Sequence, residues 1–493
     1  MVSVNKKVLP IFLMILCCFL LSISKAQNNN YFYSGDNTSE TEFNNIPKSV
    51  RRITRDIENL PDSFSLKDYA PVPGFQGNYG TCVAWSTGYA ARTISYCIQH
   101  NITDKNLIKT FSFSPNYLYF YVKNPADNTC EMGAKIEPAL KILSNKGDLL
   151  LSENIPDCVP SINNAADTKA KNFSIKAYSS LNDMFGHIRD TDINKIKKCL
   201  TEKKPVIFSI TCWKSLFNIG TDGVWNIPPN DSIKGNHALC IVGYDNKKLG
   251  GAFEVMNSWG TGWGNQGFFW ITYQQLKTYG TYALELMDKE VYDGSASNNA
   301  AQPQLKGKLS FIIVNDYGND IDSMPVVRND INSSSTENNK ISFCNYTLKE
   351  NYSADTKFKI KFTTNAPAFV YIFSVDDKKK VSKLFPYADN VSAAINSTNA
   401  TVYFPFDSLH FKFGKNSGKD KICVLYSKSA IDFYDLKENI SNTQSNMYQS
   451  ISKQFDKQII PLKRISFSNN IINFSTNAAE DELVCFFIDL NHK

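Results

Sequence analysis

The stretch Gln76-Gly77-Asn78-Tyr79-Gly80-Thr81-Cys82-Val83-Ala84-Trp85-Ser86 constrains the first half of this chain more than any other. Two glycines precede Cys82. After it comes a run without proline whose only glycine is Gly88, carrying Val83, Ala84, Trp85, Tyr89, Ala90, Ile94 and Cys97. That pattern predicts a loop feeding a helix, with Cys82 in its first turn. The helix is apolar nearly all round, so it belongs in a core. A cysteine there faces unpaired N–H groups and the positive end of the helix dipole, and both favour thiolate. Taken alone, the same residue fits an inert core thiol equally well. Gln76, six residues upstream, carries an amide able to aim an N–H at an oxygen turning negative beside the sulfur.

A thiolate nucleophile needs a base, and the base needs an orienting partner. The chain has five histidines, and His237 opens the apolar run Ala238-Leu239-Cys240-Ile241-Val242-Gly243-Tyr244. Twenty residues on, Asn257 ends a second apolar run and leads into Ser258-Trp259-Gly260-Thr261-Gly262-Trp263-Gly264. An asparagine so placed can accept the imidazole N–H and fix the ring, with Trp259 keeping water off that bond.

Together these blocks resemble the papain-like cysteine peptidases. The matching residues are Gln76, Gly80, Cys82, Ala84 and Ser86, then His237-Ala238 with Val242-Gly243-Tyr244, then the block from Asn257 to Gly264. They stand in the family's order over about 190 residues. The resemblance implies an α+β fold, a papain-like two-lobed domain with a helical lobe, a β-rich lobe and a cleft between them. It implies Cys82 as nucleophile, His237 as acid and base, Asn257 as orienter, and Gln76 with the Cys82 N–H as oxyanion donors. Gly133, Asn236 and Trp259 are the substrate-binding positions it implies. It also implies a resting thiolate with a pKa of roughly 3–4. Tyr79 stands where the family has a cysteine and Val83 where it has a tryptophan. Both departures bear on the groove and hence on specificity more than on chemistry. Cys130 with Cys158 is the disulfide implied, since the family staples its helical lobe there. Cys212 and Cys240 are left either to pair or to be buried.

Taken in order, Lys6-Lys7, an apolar core from Val8 to Leu21 and Ser24-Lys25-Ala26 predict a signal peptide over 1–26 and an exported protein, whether secreted, periplasmic or at the cell surface. No other stretch approaches the apolar length of a transmembrane segment. Residues 27–59 are a short pro-segment or a linker. Residues 60–291 are the papain-like domain, in which Leu60 to Gly74 resembles the family's N-terminal strand and short strand signals recur from Lys203-Lys204 onward. Residues 292–306 read as a linker by composition. Residues 307–493 carry strand signals at Leu309–Val314, Ile341–Tyr346, Phe358–Phe362, Ala368–Ser374, Lys421–Ser427 and Leu483–Leu490, which predict an all-β sandwich domain. The polar stretch Asn332–Asn339 reads as an insertion. This half loosely resembles a β-sandwich module of bacterial exported proteins, with an unknown partner. A net charge of +6 spread along 493 residues gives no case for nucleic acid. The Cys and His spacings call for no metal, and no cofactor is implied. The partners expected are protein or peptide substrates. The function read from the sequence is an exported cysteine peptidase. The alternative is a catalytically idle papain-like scaffold serving as an exported binding or adhesion protein.

Overall fold

The computed structural model describes residues 34–50, 59–159, 161–289, 304–335, 339–375, 380–406, 409–413, 418–442 and 447–493. The expected signal peptide and residues 292–303 of the expected linker lie outside them, as do 27–33 and 51–58.

Short apolar runs after residue 204 build most of the first sheet, as the change of period predicts, while two of its strands, Ser63–Ser65 and Ala177–Ser180, precede it. Its strands are β1 (Ser63–Ser65), β2 (Ala177–Ser180), β3 (Val206–Trp213), β4 (Ile233–Asp245), β5 (Ala252–Met256), β6 (Phe268–Thr272) and β7 (Gly280–Met287). The spatial order is β2-β7-β3-β4-β5-β6, with β1 on β4, and every pair is antiparallel. Against this lobe packs the helix that starts at Cys82–Ala84, widens into a π-helical stretch Trp85–Arg92 and closes as Thr93–Gln99. The residues Val83, Ala84, Ala91, Ile94 and Cys97 are fully buried, as the all-round apolar pattern requires. Gly88 in the wide stretch is needed for space, because a Cβ there would lie 2.6 Å from Asp148 Oδ2. The helices Pro115–Val122 and Ile136–Asn145 complete the helical lobe, and Cys130–Cys158 staples the loops beside them.

The C-terminal half contains the six expected strands within two larger sheets. Leu309, Phe311, Ile360 and Phe362 of one meet Val370, Ile372, Val424 and Phe486 of the other in a common core. The expectation of an all-β domain is corrected by two helices, Phe433–Asn442 and Met447–Phe455. Their cause lies in the run Leu483-Val484-Cys485-Phe486-Phe487-Ile488. An unbroken apolar strand is buried on both faces. Val484, Phe486 and Ile488 fill the sandwich, and Cys485 and Phe487 meet Leu436, Ile440, Ile451 and Phe455 outside it. Of the polar insertion expected at 332–339, residues 332–335 and 339 are strand instead, since Ile331–Ser335 pairs antiparallel with the strand Asn339–Leu348; residues 336–338 lie outside the described residues. The last residues of the expected linker, 304–306, already belong to the strand Gln304–Val314.

Residues 34–50 join the parts. They cross between the lobes, form a short helix Glu40–Asn44 capped by Ser39, and end between β2 and the C-terminal half.

Candidate active site

The loop-to-helix junction puts Cys82 in the first helical turn, where the sequence places it, and buries it completely. On the facing lobe His237 lies within β4 and Asn257 directly follows β5. The two strands are neighbours, so the residues meet: His237 Nε2 is 2.8 Å from Asn257 Oδ1. The Asn257 oxygen also accepts from the Ser258 N–H at 2.8 Å, which fixes the amide and presents the oxygen to the ring. Trp259 stacks on the imidazole, with centroids 4.6 Å apart and planes 21° from parallel. It is itself packed by Phe217 and Trp263, so its ring backs the His–Asn pair. The Ala238 N–H, next along β4 from His237, reaches the Cys82 thiol. The imidazole Nδ1 is buried without a hydrogen-bond partner.

Gln76 is held from both sides. Its Nε2 donates to the Tyr79 carbonyl at 2.7 Å, and its Oε1 accepts from Ser258 Oγ at 2.6 Å. The network thereby links the loop before Cys82 to the residue after Asn257.

The segment 34–38 fills the space between the lobes. Gly35 N–H donates to Cys82 Sγ at 3.3 Å, and Gly35 C=O accepts from Ala134 N at 2.8 Å. Asn37 N donates to Ala134 O at 2.9 Å, so the segment runs parallel to residues 133–135. Asp36 N donates to Asn236 O at 3.2 Å on the other lobe. Gly133, at φ +78°, has no room for a side chain, since a Cβ would fall 2.5 Å from Gly35 O. Of the three expected substrate-binding positions, Gly133 and Asn236 therefore border this segment through their backbones, and Trp259 lies behind His237.

Covered in this way, the pair is not the ion pair that the resemblance implies. Burial, followed by the nearby Asp36 carboxylate, pushes the Cys82 thiol up to about 12. Burial pushes His237 down to about 4, against the raising effect of the Asn257 bond. Thiol and neutral imidazole are the stable forms here, because neither charge has solvent.

The expected Cys130–Cys158 bond is present, and Cys212 and Cys240 are free and buried. The sequence reading left residues 27–59 as a short pro-segment or a linker, and nothing in Ser34-Gly35-Asp36-Asn37-Thr38 marks a strand bound for a cleft. Among the described residues no helix is long and apolar enough to cross a membrane.

Residues 60–286 match the model for papain family cysteine proteases, and residues 351–430 match a domain of unknown function, DUF4384. An uncharacterized peptidase C1-like protein of Acanthamoeba polyphaga mimivirus is 28% identical over 246 residues, 47% of this chain and 72% of that protein. Cathepsin L of Sarcophaga peregrina is 25% identical over 217 residues, 42% of this chain and 58% of the cathepsin. Among solved structures, xylellain, a cysteine protease from Xylella fastidiosa, is 22% identical with a TM-score of 0.43, covering 53% of this chain and 96% of xylellain.

Proposed function

We propose that this chain, papain-like over residues 60–286, is an exported cysteine peptidase that works through an acyl-enzyme on Cys82 and is held latent by residues 34–50. The observation that carries the reading is the His237–Asn257 pair, with the Cys82 thiol beside the same strand and Gly35 seated on the sulfur.

In the open enzyme the Cys82 thiolate attacks the peptide carbonyl carbon. The oxyanion is met by the Cys82 N–H and the Gln76 amide. His237, protonated at Nδ1, gives that proton to the departing amine as the C–N bond breaks. It then takes a proton from water, whose oxygen attacks the thioester carbon; the C–S bond breaks, releasing the acid and restoring the Cys82 thiolate beside the imidazolium. Asn257 Oδ1 holds the Nε2–H throughout, so the ring turns the correct nitrogen toward the sulfur.

The segment escapes cleavage for a geometric reason. It meets the sulfur with a backbone N–H, and the Gly35 carbonyl that follows is engaged by the Ala134 N–H and turned away from the thiol. The Cys130–Cys158 bond favours an oxidising compartment, which supports export.

The test is Gly35→Val in the full chain. A Cβ at Gly35 would lie 2.1 Å from Gly80 O and 2.4 Å from Gly80 C, both backbone atoms, so the segment cannot seat. The variant is expected to cleave a mixed peptide library and to lose all cleavage when Cys82→Ala is added. A folded Gly35→Val chain that cuts nothing favours the idle scaffold instead.

A further inference from the structure

Beside the nucleophile the segment buries a side chain, that of Asp36, against the facing lobe. Asp36 is 4% exposed, and its side chain leaves the segment toward the floor formed by β3 and β7. Its Oδ2 accepts from Tyr282 OH at 2.8 Å. Its Oδ1 accepts from the segment's own Thr38, at 3.0 Å from the N–H and 2.5 Å from the hydroxyl. Ser209 and Tyr282 are paired residues on the two strands, both wholly buried. The Ser209 hydroxyl faces the same carboxyl without reaching hydrogen-bond geometry. On its other side Ser209 pairs with Ala238, whose N–H touches Cys82. The Asp36 side chain therefore rests on two hydroxyls, that of Ser209 on the strand next to the one that touches the Cys82 sulfur and that of Tyr282 on the strand beyond. The groups acting on the Asp36 carboxyl are hydroxyls and a backbone N–H, and none is a cation.

A buried phenol needs an acceptor. An apolar side chain in this place leaves Tyr282 OH unpaired, whereas a short carbonyl or carboxyl oxygen pairs it. We propose that the place Asp36 fills over Tyr282 and Ser209 receives a substrate side chain once the segment leaves, and selects aspartate or asparagine there. This deepens the peptidase reading and rests on it. A carboxyl binds there with its proton favoured, because burial without a cation raises its pKa.

Two measurements test it. The first gives the full-length Gly35→Val chain a positional-scanning peptide library. Aspartate and asparagine are expected to exceed leucine at one position by about tenfold, and Tyr282→Phe in that background to erase about that factor in the aspartate-to-leucine ratio. Enrichment of leucine, valine or phenylalanine there, or a ratio unmoved by Tyr282→Phe, overturns the proposal and leaves the peptidase reading standing. The second needs no turnover. A synthetic 34–50 peptide is titrated calorimetrically into the full-length Gly35→Val, Cys82→Ala chain. Asp36→Leu in the peptide should weaken binding about tenfold or more, with Asp36→Asn close to the native peptide. Equal binding of the leucine and native peptides contradicts the proposal even if no peptide is ever cleaved.

A separate observation concerns the other end of the segment. Lys48 lies between the two halves of the molecule, bridged to Ser180 of β2 on one side and to Val391 on the other. Ser180 N donates to Pro47 O and Ser49 N to Ser180 O, each at 2.8 Å. From the C-terminal half, Asn390 O accepts from Lys48 N at 2.7 Å, and Ser392 N donates to Lys48 O at 2.9 Å. Val50 is buried in the sandwich core, although Phe43 and Ile46 belong to the peptidase core. The halves also meet directly, through Asn396 on Glu285, Ser397 on Glu202 and Lys176 on Glu480. We infer that the C-terminal domain is the second jaw of a clamp on the segment, and that latency depends on it. Ser392→Pro removes one ladder donor and Val50→Asp places a charge in the sandwich core. Each, in the full chain, is expected to raise the rate of Cys82 alkylation by a neutral haloacetamide about tenfold or more at pH 8. Alkylation reads exposure of the thiol and does not depend on peptidase activity. Rates unchanged in both variants, with Gly35→Val fast in the same assay, would overturn the clamp alone.

Discussion

Two histidines, one in each half, have nearly the same surroundings. His237 is buried in β4, His492 in the strand Leu483–His492. Each has a side-chain oxygen at Nε2, Asn257 Oδ1 at 2.8 Å for the first and Asp420 Oδ2 at 3.4 Å for the second. Each stacks on a ring, Trp259 at 4.6 Å and Phe413 at 5.5 Å, and each has a buried Nδ1 without a hydrogen-bond partner. The difference is the third group. Beside β4 lies a thiol at a helix start, and beside His492 lie a carboxylate and an aromatic ring. Burial and partner are shared, so what sets His237 apart for the proposed chemistry is the neighbouring thiol.

The comparison breaks most sharply by mutation. In the Gly35→Val background, His237→Ala should lower kcat by about 10²–10⁴, as expected for loss of a general acid and base. His492→Ala should leave kcat within about twofold. A comparable loss from His492→Ala would mean that surroundings alone make the catalyst.

Stability should divide the other way. Phe486→Ala, deep in the sandwich, should cost about 3–5 kcal/mol in thermal or denaturant unfolding, with the site's chemistry unchanged in the folded fraction. Replacing Cys130 and Cys158 together by serine opens a link between residues 28 apart and should cost about 3.5 kcal/mol. If Asn257 orients His237 as proposed, Asn257→Ala should lower kcat by about 10- to 100-fold with a smaller change in KM. Similar small changes in both constants would reduce Asn257 to a strand-end residue.

Much of the first half is legible in sequence because its chemistry sits at junctions that glycines and apolar runs mark: Gly80 before Cys82, the strand around His237, the glycine-rich turn after Asn257. The sandwich strands are legible from their apolar runs. Its two helices were missed, although the unbroken run at 483–488 already implies that its second face is covered. The segment 34–50 is a different matter. Gly35 is chosen by the backbone of Gly80, forty-five residues away, and Val50 by a core whose strands begin at residue 304. Such choices are set by partners distant in the chain, and no local period records them. The thiolate expectation failed for the same reason, since it takes the cleft to be open.

The most direct test of latency is the pH profile of Cys82 alkylation in the full chain. With the thiol raised from 9.0 to about 12, roughly one molecule in ten thousand is thiolate at pH 8, against about one in ten for an ordinary thiol. Because the pKa is raised, the reactive form is lost below about pH 12 and falls with each unit of acid. The wild-type rate should climb about tenfold per unit from pH 6 to pH 10. Gly35→Val should instead be fast and nearly level from about pH 5 to pH 8, as a His-paired thiolate is. A level, fast profile in the wild-type chain would contradict the account, because Cys82 would then be open and charged with the segment in place.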